Sequence, residues 1–247
     1  MSRGAELWDR DSLRQPHAAQ DKSARVRSMF NSIAPTYERI NTLFSGGRDA
    51  HWRRETVRIS EAGAGDRLLD VACGTGDLLR AFQRAPVAEA VGCDFARAML
   101  LLAREHEPRP TSWCEADALR LPFAEGSFSI VSCAFGIRNF TSVATALSEF
   151  HRVLRPGGRA VVLEFAQPAN RLIRLANKWY SGRFMPWAAS WLARDRTGAY
   201  HYLPSSVQTF MSPAEMCGAF EEAGFADVRS RPLTFGVVRV YLGRRNA

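Results

Sequence analysis

The apolar positions of the chain fall into short runs that alternate with stretches of helical period. Four short runs are mostly apolar, as expected for strands covered on both faces: 67–72, 87–93, 128–134 and 159–165. Between them, apolar residues recur every three or four positions at 77–84, 97–106 and 143–154. A weaker run at 111–115 fits between the second and third strands. The alternation predicts an α/β fold with a doubly wound, mostly parallel sheet.

The last part of the chain breaks this alternation. Ser212-Pro213-Ala214-Glu215 has the residues of a capping box with proline at the first helical position, and Gly224 marks the predicted end of that helix. Apolar runs at 226–231 and 235–242 follow with only a few residues between them. Because a parallel crossover needs a dozen or more residues, these two strands are predicted to form a terminal antiparallel hairpin.

The segment before the first strand is predicted to be helical. Helices are expected at 23–33 and 48–60, separated by Pro35 and by the Ser45–Gly47 break, where neither helix is expected to continue. Such a segment, ahead of the sheet, has the character of a lid or cap.

The domain limits follow from these patterns. Residues 1–22 are polar and aperiodic, so we expect a flexible tail followed by a single domain at 23–247. Within that domain, residues 23–65 form the predicted helical lid, and residues 168–212 form a helical insertion rich in aromatic and basic residues.

Composition narrows the class of protein. The 247 residues include 33 Lys and Arg against 25 Asp and Glu, a net charge of +8 that favours acidic partners. The five cysteines form no C-x-x-C pair and have no zinc-site spacing, which indicates a reduced, intracellular compartment and no metal. The sequence has neither a signal peptide nor an apolar window of about 18 residues, so we expect a cytoplasmic protein.

A glycine turn follows the first predicted strand. Gly74-Thr75-Gly76 opens a helix, an arrangement that allows close approach of the backbone to a nucleotide, although a plain strand-to-helix loop is the alternative. A pyrophosphate-binding turn would have glycine where this chain has Leu79. Asp70 and Asp77 flank the turn, and two carboxylates repel a dinucleotide but favour a ligand with a sulfonium and an α-amino group.

Acidic residues also end the next two predicted strands. Asp94 lies near the spacing of a carboxylate that binds ribose hydroxyls, although it is also suited to be the N-cap of the next helix. Asp117 follows the third strand and can accept from an adenine amine while the backbone N–H of Ala118 meets a ring nitrogen; alone it would be a turn residue. Together, the acidic strand ends favour a cationic nucleoside ligand.

These positions carry a family resemblance. Asp70 to Gly76, Asp94 and Asp117-Ala118 resemble the cofactor-binding motifs of the class I S-adenosylmethionine-dependent methyltransferases, which have a Rossmann-like seven-stranded sheet. Further positions resemble the C-methyltransferases of menaquinone and ubiquinone biosynthesis: Tyr37, Asn41, Ser45, Asp49, Trp52, and the blocks at 135–139, 152–158, 163–165 and 200–206. The chain departs from these patterns at Ala72 in place of glycine, Glu38 in place of Asp, and Ala134 and Ala166 in place of serine.

The resemblance implies an enzyme that transfers a methyl group from S-adenosylmethionine to a ring carbon of a polyprenylated quinol. Demethylmenaquinol is the expected acceptor, and the alternatives are a 2-methoxy-6-polyprenyl-1,4-benzoquinol or another small molecule. Arg138 is the implied residue that stabilises the ring oxygen and orders a water, unless it only pairs with a local carboxylate. Asn139 would orient the ring, Tyr37 would close the lid, and His201 is a further candidate base or a packed residue.

Other classes of protein fit the sequence less well. A nucleic-acid methyltransferase would explain the net charge of +8, but the chain lacks an Asn/Asp-Pro-Pro-Tyr/Phe block for a flipped base. Leu79 and Asp77 disfavour an NAD-dependent oxidoreductase. A non-catalytic cofactor-binding protein would not need Tyr37, Arg138 and Asn139 in register.

The insertion carries basic and apolar residues at helical spacing. Arg171, Arg174 and Lys178 lie beside a stripe of Leu172, Leu175 and Trp179, and the aromatic residues Tyr180, Phe184, Trp187 and Trp191 follow. A helix of this kind suits the surface of a membrane, where a polyprenylated quinol would reside. The alternative is that the stripe covers the sheet or walls the substrate pocket. We therefore expect a cytoplasmic enzyme with peripheral contact to the inner membrane face.

Overall fold

A seven-stranded sheet forms the centre of the protein. The computed structural model describes residues 8, 13–14, 16–17, 21–107, 109, 111–179 and 199–247. Its strands are β1 (Arg67–Val71), β2 (Glu89–Asp94), β3 (Ser112–Glu115), β4 (Phe128–Ala134), β5 (Leu154–Phe165), β6 (Phe225–Leu233) and β7 (Val238–Arg245). The strand order is β3-β2-β1-β4-β5-β7-β6, and only β7 runs antiparallel to its neighbours. The predicted fold class and terminal hairpin are confirmed.

Helices cover both faces of the sheet. They are α1 (Lys22–Phe44), α2 (Asp49–Ser60), α3 (Asp77–Phe82), α4 (Arg97–His106), α5 (Val143–Val153), α6 (Arg171–Trp179), α7 (Ala199–Gln208) and α8 (Pro213–Glu222). One buried cluster joins β1, β4 and β5 to α5 and α8, and a second joins the opposite face to α2 and α3. Strands that are buried on both faces explain the continuous apolar runs in the sequence.

The predicted helix break at Pro35 is wrong, because α1 continues through this residue to Phe44. Proline removes one backbone donor from a helix and normally costs about 3 kcal/mol in its interior. Here Ala34 is buried against Ala96 and Met99 of the segment that carries α4. Tertiary packing of this kind outweighs local propensity in most protein helices.

The start of the chain packs against a distant helix. The indole of Trp8 is buried and stacks on Tyr202 of α7, with ring centroids 4.3 Å apart. His17 Nε2 also lies within hydrogen-bond distance of the Ser206 carbonyl, at 3.0 Å. The limits proposed for the tail, the lid and the insertion stay predictions, but these contacts tie part of residues 1–22 to the folded domain.

None of the helices in the described part of the chain is long and apolar enough to cross a membrane.

The capping box before α8 provides a test of local stability. Ser212 Oγ accepts from the Glu215 backbone, and Glu215 Oε2 accepts from the Ser212 backbone N–H at 2.7 Å. We expect Ser212→Ala to lower the free energy of unfolding by about 1 kcal/mol, because the first turn of α8 loses a hydrogen-bond acceptor. Urea denaturation measures this change. Ser148→Ala, in the exposed interior of α5, is the control, and an equal loss in both variants would contradict the capping role.

Candidate functional site

A cleft opens at the carboxyl ends of the parallel strands, beneath α1. It encloses about 700 Å³ of empty space, part of it open to solvent. Its roof comes from Ser23, Phe30 and Tyr37 of α1. The strand ends and the loops after them contribute Val71, Ala72, Gly74, Asp94, Phe95, Ala116, Asp117, Ala118, Leu119, Ala134, Phe135, Gly136, Asn139, Phe140 and Thr141, and Met99 of α4 completes the lining.

Within the glycine turn, Gly74 faces the cleft. A Cβ built on Gly74 would meet only Tyr37, at 4.0 Å, so this stretch of backbone is open to a ligand. Gly76 has a φ of +90°, which favours glycine, and a Cβ there would lie 3.0 Å from the Trp113 ring. Thr75 is buried, and its carbonyl accepts from Arg80. Thr75 and Gly76 therefore shape the turn from behind the cleft.

Ala72 has a φ of +52°, a left-handed conformation in which glycine carries no steric penalty. Its side chain also crowds Gly136, because a Cβ on Gly136 would lie 2.6 Å from the Ala72 Cβ. The departure from glycine at position 72 therefore adds backbone strain beside the cleft.

Asp94 joins the glycine turn to the start of α4. Its Oδ2 accepts from the Gly74 N–H at 2.9 Å and its Oδ1 accepts from the Ala96 N–H at 2.8 Å. Burial raises the pKa of Asp94 to about 6, and these backbone hydrogen bonds oppose the rise. The carboxylate lines the cleft and each oxygen keeps a free lone pair for a ribose hydroxyl.

Asp117 and Ala118 line the same cleft one strand further along. Asp117 Oδ1 accepts from the Leu119 N–H at 2.9 Å, which makes it the turn residue that was one of its two predicted roles. Its second oxygen forms no such turn contact. Phe95 and Leu119 add apolar walls nearby, suited to an aromatic base, and sequence reasoning assigned no role to either residue.

Asp70 lies behind the cleft and is not among the residues that line it. Ser132 Oγ donates to Asp70 Oδ1 at 2.6 Å, whereas Oδ2 has no hydrogen-bond partner among the described residues. Burial raises the pKa of Asp70 to about 7, partly opposed by Ser132 and by the charge of Arg53. A buried acceptor without a donor is costly, and a cationic group beside it would relieve that cost.

Asp77 does not act as the sequence analysis expected. It pairs with Arg80 at 2.6 Å and with Arg53 at 3.0 Å, so two guanidinium groups offset its charge. Arg80 also reaches Glu38 of α1, and Arg53 reaches Asp49 of α2. These ion pairs hold α1 and α2 against the start of α3, so Asp77 adds little net negative charge to the cleft.

Arg138 is buried in a network of its own. Its Nη1 donates to Glu164 Oε1 at 2.7 Å and to the Phe135 carbonyl at 2.6 Å, and its Nε lies 3.4 Å from Ser206 Oγ. The guanidinium is not among the groups that line the cleft. The structure therefore contains the local ion pair that was the alternative role of Arg138. Its partner, Glu164, was not identified from the sequence.

Asn139 and Tyr37, by contrast, face the cleft. Asn139 Oδ1 accepts from the Tyr202 hydroxyl at 3.0 Å, and Nδ2 lies 3.3 Å from the Phe135 carbonyl. The ring of Tyr37 packs edge-on against Phe30. The side chains of His201 and Asn41 lie outside the described residues.

Lys22 holds the turn that carries Arg138 and Asn139. Its buried ammonium donates to the carbonyl oxygens of Arg138 at 3.1 Å and Phe140 at 2.6 Å. Burial and the charge of Arg138 lower the pKa of Lys22 to about 8. Lys22 stood at the end of the predicted tail, and no local pattern indicated this contact.

The site as a whole fits a cationic nucleoside donor. Gly74 offers an open backbone, Asp94 and Asp117 offer carboxylates, and apolar side chains line the space between them. Asp70 supplies an acceptor without a donor immediately behind the turn. Groups of His, Cys, Asp or Glu that could hold a metal ion are absent from the described residues.

Known proteins are similar to this chain in sequence and in fold. The ubiE/COQ5 methyltransferase family matches residues 18–245. A demethylmenaquinone methyltransferase of Thermus thermophilus is 46% identical over 88% of this chain and 100% of its own length. A ubiquinone/menaquinone biosynthesis C-methyltransferase of Geobacter sulfurreducens is 40% identical over 91% of this chain and 90% of its own length.

Solved structures show the same architecture at low identity. A SAM-dependent methyltransferase of Thermotoga maritima has a TM-score of 0.64 and 17% identity over 89% of this chain and 99% of its own. A phosphoethanolamine N-methyltransferase of Haemonchus contortus, solved with S-adenosyl-L-methionine, has a TM-score of 0.53 and 16% identity over 75% of this chain and 50% of its own.

The raised pKa of Asp70 predicts a pH-dependent effect of Asp70→Asn. The folded state holds the proton up to about pH 7, whereas an unfolded Asp loses it near pH 4, so the carboxyl's contribution to stability is lost as the pH rises between these values. Asn does not titrate, so its contribution does not change with pH. We therefore expect the melting temperature of Asp70→Asn minus that of the parent to be larger at pH 8 than at pH 5.

Thermal melts of both proteins at the two pH values measure this difference. Asp117→Asn is the control, since Asp117 lies at an exposed turn. A difference between Asp70→Asn and the parent that does not change with pH would contradict the assignment.

Proposed function

The chain belongs to the ubiE/COQ5 methyltransferase family, and from this premise we propose that its methyl acceptor is demethylmenaquinol. Family membership makes the chain an enzyme, an S-adenosylmethionine-dependent C-methyltransferase of menaquinone or ubiquinone biosynthesis. The observation that carries the choice of acceptor is the 46% identity over the full length of a demethylmenaquinone methyltransferase. The benzoquinol of the ubiquinone pathway is the second candidate, because relatives at 34–40% identity carry names for both pathways.

On the donor side, the proposal assigns a binding role to each residue of the glycine turn and the strand ends. Gly74 supplies the backbone surface, with Thr75 and Gly76 supporting its conformation, and Asp94 accepts from ribose hydroxyls. Asp117 and the Ala118 N–H read the adenine edge, and Asp70 attracts the amino end of the donor. The donor, when bound, supplies an electrophilic methyl group on a positively charged sulfur.

On the acceptor side, a ring carbon becomes nucleophilic when a neighbouring hydroxyl loses its proton, here to the solvent that reaches the cleft. After the methyl group forms its bond to the ring carbon and S-adenosylhomocysteine leaves, that carbon releases its own proton to the same solvent. Tyr37 and Asn139 are the polar side chains of the predicted catalytic set that face the cleft. We propose that they hold the ring, with the Asn139 amide donating to the ring oxygen. Phe30, Phe135 and Phe140 keep the cleft apolar, which strengthens each of these polar contacts.

Arg138 takes a modified role in this proposal. Its guanidinium is buried and paired with Glu164, so it acts by fixing the turn that presents Asn139. Alignment of the reacting groups is worth up to roughly 7–11 kcal/mol of barrier, more than a positioned base supplies. Positioning is therefore the larger part of the expected contribution.

Replacement of Arg138 tests this role. Lysine keeps the charge but cannot contact Glu164, the Phe135 carbonyl and Ser206 together, so we expect Arg138→Lys to lower kcat at least about ten-fold. Affinity for S-adenosylhomocysteine, measured by calorimetry, should stay within about two-fold of the parent. A parallel collapse of that affinity would assign Arg138 to the general structure of the cleft instead.

The acceptor is tested directly with purified protein and S-adenosylmethionine. We expect methylation of demethylmenaquinol, detected by mass spectrometry, and slower or no methylation of a 2-methoxy-6-polyprenyl-1,4-benzoquinol. Quinone profiling of a deletion strain provides the matching test in cells. Methylation of the benzoquinol alone would overturn the proposed acceptor while leaving the donor chemistry intact.

The acceptor also implies contact with a membrane, because a polyprenyl chain partitions into a bilayer at about 0.8 kcal/mol per buried CH₂. We propose that α6 contributes to this peripheral contact, since Arg171 and Arg174 are exposed there beside Leu172 and Leu175. The side chains of Lys178 and Trp179, and all of Tyr180, Phe184, Trp187 and Trp191, lie outside the described residues.

A further inference from the structure

Exposed apolar side chains lie on α6 and on the turn between β6 and β7. Among the described residues, the large hydrophobic side chains that are exposed are Leu101, Leu172, Leu175 and Phe235. Phe235 is the most exposed of them, at 79%. Leu172 and Leu175 belong to α6, Phe235 lies in the turn between β6 and β7, and Leu101 lies apart on α4. Leu172, Leu175 and Phe235 therefore expose apolar surface to solvent.

The β6–β7 turn holds Phe235 outward in a strained conformation. Thr234 and Phe235 have φ values of +44° and +58°, which are unusual for a β-branched and an aromatic residue. The turn is nevertheless fixed, because Trp52 Nε1 donates to Thr234 Oγ1 at 2.7 Å and the flanking Leu233 and Val238 are buried. Surrounding contacts thus maintain a strained backbone beside the exposed Phe235 side chain. Backbone strain of this kind is typical of functional surfaces.

The turn lies next to the chain that leads into α6. The Ala166 N–H donates to the Val237 carbonyl at 2.9 Å, and a Cβ built on Gly236 would lie 3.7 Å from the Cα of Pro168. Helix α6 begins shortly after Pro168, at Arg171. Leu172 and Leu175 are one helical turn apart and exposed, whereas Ile173 between them is partly buried. The outward side of α6 is therefore apolar near its beginning.

Basic residues accompany these apolar side chains. Arg171 and Arg174 are exposed on α6 beside the two leucines. On the other side of the turn, Arg54 of α2 and Arg231 of β6 are exposed, in the region that Trp52 ties to Thr234. The neighbouring Glu55 is paired with Arg58, which lowers the pKa of Glu55, and the charge of Arg231 adds to this lowering. Exposed apolar side chains accompanied by exposed basic residues match the chemistry of an anionic lipid surface.

We propose that Phe235, Leu172 and Leu175 form a lipid-docking surface that inserts into an anionic phospholipid bilayer, with Phe235 as a rigid anchor. The proposal rests on the proposed quinol substrate, since it states where the enzyme meets a substrate dissolved in the membrane. It adds an anchor on the sheet edge, separate from α6 in sequence. The fixed turn limits the entropy lost on docking, because the ring is already held outward.

Co-sedimentation with vesicles tests the docking surface. Vesicles of phosphatidylcholine with one quarter phosphatidylglycerol are compared with phosphatidylcholine alone, using the full-length protein. We expect Phe235→Asn to weaken partitioning onto the anionic vesicles about ten-fold, because the buried aromatic area is lost. Asn tolerates a left-handed φ, so this variant should unfold at the same or a higher temperature than the parent. Leu172→Gln with Leu175→Gln should weaken partitioning similarly.

Leu101→Gln is the matched control, because it removes an exposed leucine from another helix and should leave partitioning unchanged. High salt should lower binding of the parent by screening the arginines. Unchanged partitioning of Phe235→Asn, or an equal loss in Leu101→Gln, would overturn the proposal, as would equal binding to both kinds of vesicle.

Methylation of a short-tailed, water-soluble quinol separates this inference from the proposed function. All docking variants should retain the parent rate in that assay, because the docking surface lies outside the cleft. Absence of methylation in the parent would refute the proposed substrate class, whereas retained methylation with unchanged vesicle binding would refute the docking surface alone.

Discussion

The two hydrogen bonds of Asp94 are the interaction on which the donor side of the cleft depends. One oxygen holds the Gly74 N–H and the other holds the Ala96 N–H, so a single carboxylate joins the turn after β1 to the helix after β2. Its burial is costly, as the raised pKa shows, and the two backbone donors offset part of that cost. The same oxygens face the space where a donor would lie. Asp94 therefore supports the turn while its oxygens remain available for the proposed ribose contact. The alternative role as N-cap of α4 is wrong, because Ala96 occupies the N-cap position and Asp94 accepts from the Ala96 N–H instead.

The sequence predicted the architecture of the sheet because local signals determine it. Apolar runs set the parallel strands, and the short connection between the last two runs required antiparallel pairing. Pro35 misled the helix prediction, because the contacts of Ala34 with Ala96 and Met99 come from a distant segment. A proline is a strong local signal, but it competes with packing that no window of neighbouring residues contains.

The site was predictable to the extent that it lies on backbone turns. Gly74, Asp94, Asp117 and Ala118 line the cleft as expected, since strand ends converge at one edge of a parallel sheet. The charged side chains were harder to predict. Arg138 pairs with Glu164 at a separation of 26 residues, and Asp77 is compensated by Arg53 from another helix. The carboxylates near the turn are visible in the sequence, whereas the guanidinium groups that offset Asp77 come against it only in the folded chain.

The close approach of Ala72 to Gly136 limits which residue position 136 can hold. The Cβ of Ala72 occupies the space that a side chain on residue 136 would need, and the Cys133 thiol restricts the same space from another side. A Cβ at position 136 would lie 2.6 Å from the Ala72 Cβ and 2.9 Å from the Cys133 sulfur, so the packing beside the cleft requires glycine there.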